Sequence, residues 1–191
     1  MRVAKRIFLN GLAAGAIAVA LFAGCKTGHE PKAPATKQTL PWREAFDIAT
    51  EAYIFGYPLI MMDMTRSAMT NVREPEGTHA PMGQFARTRT YPPASNHDVT
   101  IPNTDTLYTT VWLDVSREPW VLSIPDTKGR YALFPMLDGW TTVFQAPGKR
   151  TTGSGPQKFA ITGPGWKGKL PRGLKEYKSP TSIVWVLGRI Y

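Results

Sequence analysis

Cysteine is almost absent from this chain, since Cys25 is the single cysteine among 191 residues. A disulfide needs two thiols, so no disulfide forms within the chain. If residues 1–25 are removed, 166 residues remain, which is enough for one domain with a hydrophobic core. The stability of that domain must come from packing, even in an oxidising compartment.

The motifs of several enzyme classes are also missing. The histidines His29, His79 and His97 show none of the short spacings at which zinc sites place their ligands. The chain has no glycine-rich phosphate loop and no Gly-x-Ser-x-Gly nucleophile turn. We interpret Gly153-Ser154-Gly155 as a hairpin loop. We therefore predict no metal site, and the sequence identifies no cofactor.

Acidic residues are scarce in the last part of the chain. Residues 149–191 contain nine Lys or Arg and one acid, Glu176, whereas residues 26–148 carry a net charge of −2. A basic segment suits anionic lipid, an acidic partner or an acidic segment outside this chain. It is also the composition of an ordinary solvated surface. Nucleic acid is not expected as a partner, because the N-terminal residues indicate export.

The N-terminal residues have the layout of a secretory signal. Basic residues precede an apolar run, Ile7–Gly24, and the small pair Ala23-Gly24 stands directly before Cys25. This layout predicts a bacterial lipoprotein signal, in which acyl chains such as palmitate are attached to Cys25 and anchor the protein in the cell envelope. Lys26 follows the cysteine, which predicts the outer membrane, facing the periplasm. A plain export signal and an uncleaved membrane anchor are the alternatives.

Composition divides the chain into three parts. Residues 1–25 form the predicted signal peptide. Residues 26–40 are rich in Lys, Pro, Thr and Ala and predict a flexible tether. Residues 41–191 form the predicted folded domain.

Two helices are predicted at the start of this domain. Pro41 suits the first helical position, and apolar residues recur at steps of three or four from Trp42 to Tyr53. Pro58 should then kink or end the helix, because proline lacks the backbone donor. A second helical piece, about Leu59–Met69, is rich in methionine. We assign these methionines to core packing in preference to an adaptable binding surface.

A β-rich region follows an irregular stretch, 71–105. Apolar and polar residues alternate with period two from Thr106 to Val115. Further short strands are predicted at Trp120–Ile124, Arg130–Met136, Trp140–Gln145, Phe159–Thr162 and Ile183–Tyr191. The predicted fold class is α+β, with N-terminal helices followed by an antiparallel β-sandwich or jelly-roll-like sheet. Because the chain ends inside a strand-like run, we expect a truncated domain with an unpaired strand edge.

Six sequence blocks carry a family resemblance. They are Glu51–Pro58, Pro102–Tyr108, Val121–Asp126 with Gly129–Tyr131, Pro147–Gly153, Ile161–Trp166, and Ser179–Thr181 with Val184–Trp185 and Gly188–Arg189. Together they resemble the bacterial Domain of Unknown Function 1254 family, for which no reaction is generally assigned. The resemblance implies export or lipid anchoring. Many members continue into a second β-rich domain, Domain of Unknown Function 1214, which this sequence lacks. That missing domain or a homo-oligomer is therefore an expected partner.

The candidate catalytic residues lie in the motif Asn103–Tyr108, at the predicted entry to a strand. In this hypothesis Asp105 is a general base, Tyr108 is a proton donor and Asn103 is an orienting amide. Asn, Asp and Thr also satisfy loop backbone groups by local hydrogen bonds, which is the structural alternative.

The candidate ligand-binding residues are Arg130, Asp138 and Arg150. Arg130 follows a predicted turn and is placed to pair with a carboxylate ligand or with Asp138. The alternative is that all three are ordinary surface residues, because exposed ion pairs contribute little.

Two functional hypotheses follow. The first is an envelope hydrolase-like enzyme that acts on a small molecule, with Asp105 and Tyr108 in its site. The second is a non-catalytic ligand- or partner-binding envelope lipoprotein, in which tryptophans line the binding surface. These tryptophans are Trp112, Trp120, Trp140 and Trp166. Convergence of Asn103, Asp105 and Tyr108 in one pocket favours the enzyme, and scattering favours binding.

Overall fold

The computed structural model describes residues 40–95 and 103–191. The predicted signal peptide, 1–25, lies outside these residues, as do residues 26–39 of the predicted tether. Within the described ranges, one helix precedes nine strands. The helix α1 is Trp42–Thr70. The strands are β1 Ala86–Arg87, β2 Leu107–Asp114, β3 Trp120–Ile124, β4 Ala132–Leu133, β5 Met136–Leu137, β6 Val143–Gln145, β7 Gln157–Thr162, β8 Lys175–Lys178 and β9 Ile183–Ile190.

The strands form two sheets. The larger has the order β1-β2-β9-β5-β6, with β4 also paired to β9, and the smaller has the order β3-β7-β8. Every pair is antiparallel except β7 and β8, which run parallel. The fold class is therefore α+β, as predicted, although the two sheets do not close into a complete sandwich.

The last strand lies in the middle of the larger sheet. β9 pairs with β2 from Ile183 to Ile190, and its other side pairs with β4 and β5. The backbone N–H of Tyr191 donates to the carbonyl of Tyr131 at 3.0 Å. The prediction of an unpaired edge at this run is therefore wrong, because neighbours on both sides satisfy its backbone groups.

The hydrophobic core lies between the two sheets. Alternate residues of β2 and β9 face it, and the register places Val111 opposite Val186 and Leu113 opposite Val184. The smaller sheet contributes inward-facing residues from all three of its strands. These are Leu122, Ile124, Phe159, Ile161 and Tyr177. Successive side chains of a strand point to opposite faces of the sheet, so every second residue faces the core. The period-two sequence pattern of β2 predicts this alternation.

The N-terminal region forms one helix where two were predicted. α1 continues through Pro58 to Thr70 without interruption. Proline removes one backbone donor, the one that would bond to the carbonyl of Ile54. Ile54 is exposed, so water can satisfy that carbonyl, and the residues after Pro58 are good helix formers.

Candidate functional site

The Asn103 side chain holds the turn that leads into β2. Its Oδ1 atom accepts the backbone N–H of Asp105 at 2.8 Å and that of Thr106 at 3.0 Å. An asparagine that binds the amides two and three residues ahead stabilises a local turn. This geometry matches the structural alternative for Asn103, and its carbonyl oxygen is already occupied by protein donors.

Asp105 and Tyr108 lie in different surroundings. The side chain of Asp105 is exposed, while its backbone carbonyl accepts the Tyr91 hydroxyl at 3.4 Å. Tyr108 is half-buried on the outer face of the larger sheet, and the Arg189 guanidinium lies 5.4 Å from its ring centroid. The catalytic roles of Asn103, Asp105 and Tyr108 stay predictions.

Two of the three candidate ligand-binding residues, Arg130 and Arg150, lie on adjacent segments of the backbone, since the Lys149 N–H donates to the Ala132 carbonyl at 2.9 Å. The Arg150 guanidinium lies 5.3 Å from the ring centroid of Tyr131, the residue next to Arg130. Beside it, the Lys149 Nζ donates to the Gly129 carbonyl at 2.7 Å. Arg130, Lys149 and Arg150 are all exposed. They form a basic surface beside the end of β9, which suits an acidic group.

Asp138 lies elsewhere and has a different environment. Its buried carboxylate accepts the backbone N–H of Trp140 at 2.9 Å and that of Thr142 at 3.0 Å. These bonds enclose Thr141, whose φ of 64° is uncommon for a β-branched residue. Arg130 precedes β4 and Asp138 follows β5, so they flank opposite ends of the segment that pairs with β9. The proposed Arg130–Asp138 pair does not form, and Asp138 stabilises a turn instead.

The four tryptophans of the binding hypothesis do not share one surface. Trp112 is buried and stacks on Trp185, with centroids 4.7 Å apart. Trp120 is exposed and its Nε1 donates to the Asp114 carbonyl at 2.9 Å. Trp140 packs against Phe55 of α1, whereas Trp166 lies against Gly168. Trp112 therefore belongs to the packed interior.

The C-terminal half of α1 contacts the β-rich part of the domain through the side that carries Met62. Met62 is buried there, and the Leu59 side chain approaches Gly139. A groove of about 220 Å³ lies along this junction. Its lining residues are Leu59, Met62, Asp63, Arg66, Gly139, Thr181, Ser182 and Ile183. Within it, Asp63 and Arg66 form a surface ion pair at 2.7 Å, which is a weak interaction.

The opposite face of α1 is apolar and exposed. We call it the outer stripe. It consists of Trp42, Phe46, Ala49, Tyr53, Tyr57, Ile60 and Met64. Successive helical residues turn by about 100°, which places this set roughly opposite Met62. Met61 and Met64 are exposed and Met62 is buried, so the prediction that the methionines fill the core is correct for Met62 and wrong for these two neighbours.

Asp114 is an ionised hydrogen-bond acceptor at the end of β2. Hydrogen bonds from the side chain and the backbone of Ser116 hold the pKa of the Asp114 carboxyl below its usual value. Asp114 therefore stays charged at neutral pH as a turn acceptor. In residues 40–95 and 103–191, no group of three His, Cys, Asp or Glu side chains is placed to hold a metal ion. No helix in the same ranges combines the length and apolarity needed to cross a membrane.

The fold and this surface define an α+β domain that carries an exposed apolar helix. The family model described as Protein of unknown function (DUF1254) matches residues 82–191. The chain belongs to this family. A search of curated proteins gives no match.

A solved structure extends the similarity beyond the family match. The crystal structure of the VPA0106 protein from Vibrio parahaemolyticus is 28% identical, with a TM-score of 0.59. The similarity covers 75% of this chain and 32% of that chain. The aligned 75% of this chain is longer than the segment 82–191. The similarity therefore includes residues before Met82. The match spans about a third of the VPA0106 chain.

Proposed function

We propose that the protein is a lipid-anchored envelope protein whose folded domain works by binding a protein partner through α1. The supporting observation is the outer stripe, which is long, apolar and exposed, while Met62 on the other side of the C-terminal half of α1 is buried against the domain. Soluble domains seldom leave a large continuous apolar patch exposed, and such a patch marks an interaction surface.

The candidate catalytic residues support binding over hydrolysis. The Asn103 carbonyl oxygen accepts two amides and is not directed at a substrate. The Asp105 side chain is exposed, whereas a ligand pocket encloses most of the surface of its ligand. The basic surface of Arg130, Lys149 and Arg150 is a secondary contact in this proposal, and it suits an acidic group of the partner.

Replacing Cys25 with serine tests the lipid anchor. We expect the unsubstituted protein in the membrane fraction of a bacterial host, because acyl chains on Cys25 hold it there. The Cys25→Ser variant should lose this acylation and should not incorporate radiolabelled palmitate. A Thr27→Ser variant is the matched control and should behave like the unsubstituted protein. An unsubstituted protein that incorporates no palmitate would contradict the anchor.

A photo-crosslinking residue at position 53 tests partner binding. Tyr53 is at the centre of the outer stripe, so we expect irradiation of intact cells to link it to a protein in direct contact. The same residue at Glu51, which is exposed on another face of α1, is the control and should give little product. The absence of any adduct at position 53, with the protein folded, would contradict the proposed function.

A further inference from the structure

The outer stripe has a symmetric spacing. Its members, from Trp42 to Met64, are separated by steps of 4, 3, 4, 4, 3 and 4 residues. The series reads the same in both directions about Tyr53. The average step is close to the helical repeat of about 3.6 residues, so the stripe runs nearly along the helix axis. A symmetric interface brings the same patch of two identical chains together. In an antiparallel pair, stripe residues at equal distances from Tyr53 would therefore face each other.

We propose that the outer stripe binds a second copy of this chain, with two α1 helices packed antiparallel about a two-fold axis at Tyr53. This inference rests on the proposed function and names its partner. In that arrangement Trp42 lies opposite Met64 of the other copy, and Phe46 lies opposite Ile60. Ala49 lies opposite Tyr57, so a small residue faces a large one, which favours close packing of two helices.

The exposed area agrees with a stable dimer. Leaving Ala49 aside, the stripe residues are 48% to 78% exposed. Side chains of this size present on the order of 150–250 Å² each, so the stripe offers about 700 Å² per chain. A standard protein interface buries about 800 Å² per partner. The stripe is also about 33 Å long at 1.5 Å per residue, which lets two such helices meet along their length.

A membrane surface is a weaker candidate for the same face. Helices that lie on anionic membranes carry Lys and Arg on their polar face. α1 contains the acids Glu44, Asp47, Glu51 and Asp63 against two bases, Arg43 and Arg66, so its charge opposes binding to anionic lipid. A second copy contains the same apolar stripe and needs no basic face.

The mass of the adduct formed at position 53 distinguishes the two proposals. A product with twice the mass of the chain supports the second copy. A product with another protein overturns the second copy and leaves the proposed function standing. Enrichment of label in lipid, with no protein adduct, overturns both.

A charge exchange across the two-fold axis tests the register. The full-length chain is expressed with two different tags, and recovery of one tagged copy with the other measures association. Phe46→Glu and the Phe46→Glu/Ile60→Glu double variant should each reduce recovery by about tenfold or more, because a buried charge has no partner. Phe46→Glu/Ile60→Lys should restore most of it, because residue 46 of each copy then faces residue 60 of the other.

Ile48→Glu is the matched control, because Ile48 is exposed outside the stripe. It should leave recovery unchanged. Circular dichroism should show that all variants keep the unsubstituted helix content. Failure of the lysine variant to restore recovery, or equal loss in the Ile48 control, overturns the antiparallel arrangement.

Discussion

Replacing Gly148 with alanine should lower the free energy of unfolding by about 3 kcal/mol. An added Cβ at this position would overlap the Ala132 carbonyl oxygen and would lie 2.8 Å from the Leu133 Cα. Both are backbone atoms of β4, so no side-chain rotation relieves the overlap.

The surrounding hydrogen bonds prevent this backbone from moving away. The Phe134 N–H donates to the Pro147 carbonyl at 2.8 Å, and the Lys149 N–H donates to the Ala132 carbonyl at 2.9 Å. A shift of Gly148 would lengthen these bonds, and backbone groups that lose their partners cost free energy.

Gly155→Ala is the control for this prediction, because no atom lies within 4 Å of its added Cβ. It should change stability by less than about 0.5 kcal/mol. Urea unfolding followed by circular dichroism, at one fixed protein concentration, measures both variants. Similar losses at the two glycines would contradict a specific close approach at Gly148.

Gly148 belongs to a sequence block that carries the family resemblance, and its role is structural. The block Pro147–Gly153 contributes to the family resemblance, and its glycine and proline predict only a break between strands. The structure adds the close pairing of Gly148 with Leu133. Gly163 has the same role beside the Val115 carbonyl. A sequence identifies such glycines, but the approaching segment is distant in the chain and is known only from the fold.

Strand prediction succeeds where apolar periodicity is strong. The strand Trp120–Ile124 is confirmed with the predicted bounds. The predicted period-two segment Thr106–Val115 contains β2. β8 is missed because Lys175–Lys178 has one inward-facing apolar residue, Tyr177, among three exposed charged residues. Pro135 divides the predicted strand Arg130–Met136 into β4 and β5. Proline lacks the donor that a continuous ladder needs.

The candidate site was less predictable than the fold. The sequence places apolar residues of α1 at helical spacing, but only the structure shows which face packs on the sheet and which is exposed. Likewise, Arg130 and Asp138 are eight residues apart, and the path of β4 and β5 separates them. The opposite charges of the two side chains suggested an ion pair, but with the observed strand register this ion pair does not form.

Trp112→Ala should reduce the free energy of unfolding by about 3–5 kcal/mol, the usual loss for a buried tryptophan. Trp112 is 2% exposed, and its ring stacks on Trp185 with an interplanar angle of 7°. Alanine removes this contact and leaves a cavity on the face of β2 and β9 opposite Val111 and Leu113.

Two further variants show which feature of Trp112 causes this loss of stability. Trp112→Phe should cost less than about 1.5 kcal/mol, because an aromatic ring remains and the buried Nε1 donor has no acceptor in the described part of the chain. Trp120→Ala should cost about 1–2 kcal/mol, since that tryptophan is 37% exposed and loses one hydrogen bond and its contact with Gly83. Urea unfolding at one protein concentration compares all three.

The comparison decides between an interior and a surface role for these tryptophans. If Trp112 lined a ligand site, its truncation would lower the free energy of unfolding only slightly. Similar values for the two alanine variants would therefore contradict the packed interior. A large loss at Trp112 that phenylalanine mostly restores assigns this residue to packing. Aromatic residues exposed on α1 are available to a partner, and binding there can be altered without removing the core.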